Sequence, residues 1–507
     1  MEKYLVSLDT NKVKNYVFAT NKLKEIVGAS SLLAELNEEI TIKCAKKHEG
    51  KCIFAGGGSA LFVFYKKNKA HDFVAEIERT YIEKTKKATI ASAIVEIPQS
   101  QEENNFIKAL NQAEKCLKRK KANNNPSTNL VYLEPYFEPC HHCGNYPIIK
   151  HIELNDNDLL LCEVCFTKRS YALKVENENL RPRKYFIDYF SKLNQGLKFP
   201  NTLEELGEMD RSNGYIAYIY ADGNAFGNFI QKHLDSEEKL TAFSEILKSA
   251  INTTIAKSIE PFIQNNKFPF IPVLIGGDDL ILITPGSRAL SIANNFLIQF
   301  QQFLQNGLRD KNLDIDATQL SMSMGVTISH SKYPLLSFHD MSKSLLQNAK
   351  SLYQDIYIKS GKQISTVDFK VISSSTSKSL DQIIDGEYKL SKDHWATCRP
   401  YPCFEVEGFS RPTFTNLLNV AATLSSKHFP KNKLMRWKDI VYTKESINAL
   451  ELISFGASLK MEEKILMETS TKSLGLATYK NLFFQENFLT TDYFTPLIDL
   501  VEIFNFV

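Results

Sequence analysis

Asp222, Asp278 and Asp279 are the residues of this chain whose type and spacing most directly suggest chemistry. Asp278 and Asp279 follow Gly276 and Gly277 in FIPVLIGGDDLILIT, residues 270–284, and Asp222 leads Asp222-Gly223-Asn224 at the end of YIAYIYADGN, residues 215–224. Acids gathered at a turn between apolar runs repel one another unless a cation neutralises them. Mg²⁺ or Mn²⁺ takes carboxylate oxygens together with the phosphates of a substrate. The three acids therefore read as holders of two catalytic divalent ions, with the Gly223 carbonyl as a further ligand. Gly276 and Gly277 supply positive φ and let a phosphate approach the backbone. The rival reading is an ordinary hairpin, because Gly and Asp are the commonest turn residues.

The elements that must position these acids are legible around them. Two β-branched-rich runs flank Gly276–Asp279, the pattern of a strand, a tight turn and a second buried strand. Residues 215–230, YIAYIYADGNAFGNFI, read as a strand followed by a helix-like run. A strand ending in one Asp, with a hairpin carrying two more about 50 residues later, is the arrangement of palm-type nucleotidyltransferases. There, carboxylates on adjacent strands share two metals that activate a 3′-hydroxyl and steady the leaving pyrophosphate.

The first 135 residues repeat this logic. LVSLDTNKVKNYVF, from Leu5, matches Tyr215–Ile230, so that Asp9 and Asn11 answer to Asp222 and Asn224. CIFAGGGSALFVF, from Cys52, matches the acidic hairpin, but Gly58 and Ser59 stand where its two acids would be. ATIASAIVE from Ala88 then matches LSMSMGVTI from Leu320, and helical runs follow each. Four matches in one order predict two βαββαβ units, of which only the second keeps the acids. If the units pack about a pseudo-two-fold axis, the turn Gly56-Gly57-Gly58-Ser59 faces the acidic turn and can seat a second nucleotide.

Length and composition bound the rest. At 507 residues, with 43% apolar and 23% charged residues, the chain is expected to form three or four ordinary globular domains. A net charge of +3 leaves nucleic-acid contact to local patches. No run approaches the roughly 18 apolar residues of a membrane helix, and MEKYLVSLDT lacks signal-peptide architecture. No membrane partner and a cytoplasmic location are expected. Cys140-x-x-Cys143 and Cys162-x-x-Cys165, eighteen residues apart, predict a closed, structural Zn²⁺ site, with His141 and His142 as solvated neighbours. The run Lys118–Lys121, before an asparagine-rich loop, reads as a solvated helix end, with contact to an RNA backbone as the alternative.

ADGNAFG with IGGDDLILIT, together with LDTNKVKNYVFATNKLKEIVGASSLL and AGGGSALFVF, resembles the large polymerase/cyclase subunit of type III CRISPR effector complexes, especially the Cmr kind. The resemblance implies an α+β fold: two ferredoxin-like palm domains related by internal duplication, an inserted zinc-knuckle module and a C-terminal helical domain. The expected limits are 1–135 for the degenerate first palm, 136–206 for the zinc module and linker, 207–374 for the catalytic palm and 375–507 for the helices. It also implies synthesis of a cyclic oligoadenylate second messenger from ATP when target RNA is bound, with guide RNA and the other complex subunits as partners. Catalysis would fall to Asp222, Asp278 and Asp279. Nucleotide would be held by Gly223, Asn224, Gly276, Gly277 and Lys350, and by Gly56, Gly57, Gly58 and Ser59. Lys350 would reach the substrate's phosphates from a late helix. No HD nuclease activity is expected, because His71-Asp72 and His339-Asp340 fall in runs already assigned to the palms. AMP transfer to S-adenosylmethionine by the same acids and a non-catalytic scaffold are the alternatives.

Overall fold

Apolar strands in this chain carry few polar alternations, so they must lie in sheets covered on both faces. The computed structural model describes residues 2–98, 105–123, 137–153, 158–178, 180, 182–191, 196–211, 214–373, 378–443, 445–485, 490 and 492–507, and it shows that arrangement. The loop expected at Asn124 and Asn125 lies outside the described residues.

The first sheet comprises β1 (Lys3–Thr10), β2 (Lys51–Gly56), β3 (Ser59–Phe64) and β4 (Ile90–Ile97), in the order β2-β3-β1-β4 and antiparallel throughout. Its helices are α1 (Val13–Val17), α2 (Leu23–Glu35), α3 (Thr41–Lys47), α4 (Lys67–Thr85) and α5 (Asn105–Asn123). A small hairpin, β5 (Lys150–Ile152) and β6 (Leu159–Leu161), leads into α6 (Glu163–Glu178), then α7 (Arg183–Phe190) and α8 (Leu203–Gly207). The second unit runs β7 (Tyr215–Asn224), α9 (Phe226–His233), α10 (Glu237–Ile259), β8 (Ile271–Gly276), β9 (Asp279–Pro285), α11 (Gly286–Asp310), β10 (Ser321–His330), α12 (Leu335–Ser360) and β11 (Thr366–Val371).

The second sheet has the order β8-β9-β7-β10, extended by a parallel β11 and a short edge at Tyr401–Pro402. Its first four strands repeat the order and directions of the first sheet. The likeness extends to a defect. Both hairpins slip register at one place, between Cys52 and Phe54 and between Pro272 and Leu274, so that Ile53 and Val273 are extra residues in their ladders. A bulge of this kind sharpens local twist, and here it bends both tips alike.

Neither sheet has a private core. Leu5 and Val63 join Ala217, Ile219 and Ala221 in one apolar cluster, while Val6, Leu8 and Phe62 join Ile216, Tyr218, Tyr220 and Ile281 in the other. Successive residues of a strand point to opposite faces, so β1, β3, β7 and β9 each feed both clusters and the two units are held as one body. Polar links cross the same boundary. Lys3 and Lys51 both reach Glu237, at 3.3 and 3.2 Å, and Asn21 Oδ1 accepts from Leu336 N at the start of α12.

Helices at 414–426, 431–440, 445–458 and 461–473 follow. In the tail, Leu497, Leu500, Ile503 and Phe506 are buried, which settles that this segment is core packing. It is tied to the second sheet by Arg399, whose guanidinium meets Asp499 at 3.0 Å and Glu502 at 3.2 Å and stacks on Phe369 and Tyr388. Cys398 and Cys403 are buried. Among the described residues, no helix is long and apolar enough to cross a membrane.

Candidate functional site

The antiparallel register that pairs Ala221 with Leu280 brings Asp222, one residue on, alongside Asp279. Asp278 lies in the turn between β8 and β9. Gly277 has φ +59 and Asp278 does not have a positive φ, so the acid occupies the turn position that L residues accept. In the first hairpin both turn residues, Gly57 and Gly58, have positive φ, at +63 and +88. A glycine there avoids strain that an Asp would carry.

The two hairpins meet tip to tip. A Cβ on Gly276 would lie 2.8 Å from Gly57 Cα, and one on Gly57 would lie 3.0 Å from Gly276 O. Only glycine permits this backbone contact, which puts Gly56–Ser59 beside Gly276–Asp279.

The electrostatics of the acids follow from their burial and then from their crowding. Burial, then Asp222 and Asp279, raise the Asp278 carboxyl to about 6. Asp279 is raised by burial as well, against the pull of Lys14. Beneath them, burial and all three acids push the Tyr220 phenol up. Two lysines offset part of the charge. Lys350 donates to Asp222 and, at 3.0 Å, to Gly223 O. Lys14, from the first unit, lies 3.5 Å from Asp279 Oδ1 with its Nζ 4.8 Å from the Tyr220 ring centre. Lys350 is carried by α12, which lies close on β10 because Gly325 has no side chain: a Cβ there would fall 2.1 Å from Ser342 O. Crowded carboxylates at a partly open tip, with the Gly223 carbonyl beside Asp222, form an oxygen donor set suited to Mg²⁺ or Mn²⁺.

Asn224 is the expected site residue that is not brought to the open tip. It is buried, donates to Ser321 Oγ at 2.9 Å and accepts from Ser323 Oγ at 2.8 Å, holding β7 to β10. His339 is buried too, stacked on Phe18 at 4.0 Å with its Nδ1 3.0 Å from the Tyr218 hydroxyl.

Two residues escaped the sequence reading. Lys121 is not simply a solvated helix end, because its Nζ lies 2.5 Å from Asp9 Oδ2, and so α5 repeats for Asp9 what α12 does for Asp222. The repeat itself was the available signal. Lys14 sits in a run with no pattern to mark it, and only the packing of the two units brings it to Asp279.

Cys140, Cys143, Cys162 and Cys165 gather with all four Sγ atoms within 4.8 Å of one another, and Cys143 and Cys162 are 3.7 Å apart. Sulfurs around a tetrahedral Zn²⁺, at about 2.3 Å each, stand at about that separation, so the cluster fits the ion. His142 is no solvated neighbour: its Nδ1 lies 2.9 Å from the wholly buried Glu25, which also receives Arg169 at 3.3 Å. From α6, the buried Lys168 donates to Tyr16 O and covers the Tyr16 ring at 4.2 Å. Cys44, His48 and Glu76 also cluster, but Glu76 is already held by Lys47 and His48, each at 2.8 Å.

Two sheets meeting at glycine tips, one tip acidic, define a palm-domain protein. Residues 215–356 match the family model described as Cas10/Cmr2, second palm domain. The chain is also similar in fold to Csm1 of T. onnurineus, with a TM-score of 0.58 at 14% identity over 100% of this chain and 69% of that one. A Csm1–Csm4 cassette in complex with cA4 gives a TM-score of 0.55 at 14% identity, covering 93% of this chain and 67% of that one. One in complex with pppApApA gives 0.55 at 14% identity, covering 94% and 68%. No curated protein sequence matches. Residues 215–356 thus match a Cas10/Cmr2 second palm domain, and the chain as a whole shares the fold of Csm1.

Proposed function

We infer that this chain is a metal-dependent nucleotidyltransferase that builds a cyclic oligoadenylate from ATP within a type III effector complex. The observation that carries the reading is the Asp222–Asp278–Asp279 cluster, in which burial and neighbouring acids raise Asp278 and Asp279, at a tip in backbone contact with a second, acid-free tip. A site that disfavours its own charge gains most from binding cations. Divalent ions held by Asp222, Asp278 and Asp279 would lower the pKa of an attacking 3′-hydroxyl and neutralise the leaving pyrophosphate. In the reaction, the 3′-oxygen bonds to the α-phosphorus of ATP and the bond from that phosphorus to the bridging oxygen breaks. Pyrophosphate leaves and the hydroxyl proton passes to solvent.

The chain's own groups divide the work. Lys350, anchored on Asp222 and Gly223 O, presents a cation at the end of β7. Gly276 and Gly277 leave the backbone open to a phosphate, and Gly56, Gly57, Gly58 and Ser59 offer an acid-free surface for the second nucleotide. In the same reading residues 1–135 and 207–374 are palms descended from one unit, 136–206 is a zinc module that braces the first, and 375–507 is a helical domain. The matching order, directions and bulges of the two sheets support the duplication. Other complex subunits, guide RNA and target RNA are the proposed partners. The solved relatives are described with Csm4, cA4 and pppApApA.

The test is mass spectrometry of products from wild type and the Asp278→Ala/Asp279→Ala variant. Each is given ATP with Mg²⁺ or Mn²⁺, with and without S-adenosylmethionine, alone and in a reconstituted complex with target RNA. Acid-dependent cyclic oligoadenylates are expected. An AMP conjugate formed only with S-adenosylmethionine would redirect the acceptor, and no acid-dependent product in any arm would leave a scaffold.

A further inference from the structure

We propose that Lys14, a residue of the first unit, binds the triphosphate of the nucleotide held at the acids of the second; this rests on the nucleotidyltransferase reading. Lys14 lies on α1, directly after β1, and its Nζ crosses the contact between the tips to stand 3.5 Å from Asp279 Oδ1. That distance is the long edge of a hydrogen bond. Both side chains also remain partly exposed, at 39% and 29%, so the pair is open to a ligand. The Tyr220 ring, 4.8 Å from Nζ, holds an ammonium in place even when Asp279 turns to another cation.

The base of Lys14 is fixed while its end is free. Lys168 donates to Tyr16 O within the same helix, and Phe18, just beyond it, stacks on His339 of the second unit at 4.0 Å. The other lysine at the site is differently engaged. Lys350 makes two hydrogen bonds at the end of β7, to Asp222 and to Gly223 O. Lys14 has one long contact to an acid and a ring face. A cation taken up by Asp279 would free the Lys14 ammonium beside an incoming polyanion, where lysine acts as a point charge on phosphate.

The pseudo-symmetry of the two units sharpens the assignment. Asp9 and Lys14 are five residues apart, and five residues after Asp222 stands Gly227. A Cβ on Gly227 would meet nothing within 4 Å. At the matching position the second unit therefore has no cation, whereas the first has Lys14, directed toward the acidic tip. A structural brace would serve either side equally well, but a phosphate ligand is needed only where the acids hold the reacting nucleotide.

The experiment is equilibrium binding of a non-hydrolysable ATP analogue and of adenosine, each with Mn²⁺, to full-length wild type, Lys14→Ala, Lys14→Met and Lys14→Arg. The methionine variant keeps the stem packed on Tyr220. Loss of a charge-assisted contact predicts analogue binding weakened about 10-fold to 100-fold in the alanine and methionine variants. Adenosine binding should be unchanged, and arginine should restore most of the loss. Turnover should show a raised KM for ATP in the same proportion. Analogue affinity within about twofold of wild type would overturn the proposal. So would parallel weakening of adenosine and analogue, which marks a brace. Because binding is read without turnover, a wild type that makes no acid-dependent product would refute the nucleotidyltransferase reading and leave the Lys14 result to be judged on its own.

Discussion

The two hairpin tips are built alike and equipped differently. Each follows a strand that ends in an Asp held by a lysine from a later helix, Asp9 by Lys121 and Asp222 by Lys350, and each carries a bulge at the same position. One turn then places Gly58 and Ser59 where the other places Asp278 and Asp279. The difference teaches that the frame does not require the acids. At one tip alone, burial and neighbouring carboxylates raise two acids, Asp278 and Asp279, against the pull of Lys14 and Lys350.

The comparison is broken most directly by treating its halves alike. On the proposed nucleotidyltransferase reading, Asp222→Ala should reduce turnover by about three orders of magnitude, since loss of a metal ligand costs several kcal/mol at the transition state. Asp9→Ala, its counterpart, should cost less than about tenfold in the same product assay. Equal losses would mean that the first tip also performs chemistry. With Zn²⁺ proposed at the Cys140–Cys143–Cys162–Cys165 cluster, adding a chelator is expected to destabilise the chain by about 3 kcal/mol or more. Hydrogen exchange should show α6, α1 and α2 losing protection before β7 and β10, because Lys168 and His142 tie the cluster to the first unit alone.

Gly276→Ala should lower stability by about 2 kcal/mol, because its Cβ would press on Gly57 Cα at 2.8 Å. Gly277→Ala meets only Gly57 Cα at 3.9 Å and carries the strain of φ +59, about 1 kcal/mol. Thermal melts that rank them in reverse would show that the tips do not bear on each other. His339 supplies a pH test of the same interface. Burial lowers its pKa from 6.5 to about 4, so the folded state resists a proton that the unfolded state accepts. Its contribution is fully present above about pH 6.5 and is lost as pH falls toward about 4. Denaturant melts of His339→Phe should show a shallower loss across that window. The smallest effect is expected from Gly227→Ala, which enters open space on α9 and should raise stability by about 0.5 kcal/mol.

Much of this was legible in the residues, and for identifiable reasons. The strands announced themselves as β-branched runs, and the repeat of LVSLDTN with YIAYIYADGN correctly anticipated two sheets of one strand order. The spacing of the cysteines foretold their cluster. What could not be read was everything that depends on how one unit lies against the other. Lys14 and His142 have ordinary neighbours in sequence and acquire partners only across the fold, at Asp279 and Glu25. Asn224 failed in the opposite sense. Its place after Asp222 suggested an open site, but its amide is taken up by the hydroxyls of Ser321 and Ser323 on the neighbouring β10. Buried and docking helices share a composition, so the tail's place as core shows only in the burial of Leu497, Leu500 and Ile503 and in the pairing of Arg399 with Asp499 and Glu502.

The glycine contact between the tips also bears on how such a protein can change over time. Peptide atoms of Gly57 and Gly276 make the contact, and peptide atoms are the part of a chain that substitution leaves in place. The spacing of the two halves is thus insulated from the mutations that alter their reactivity. Acids can be lost from one turn, or a lysine gained on a neighbouring helix, while the distance between the halves stays as it was. Two like frames joined in this way can differ at their turns without losing alignment.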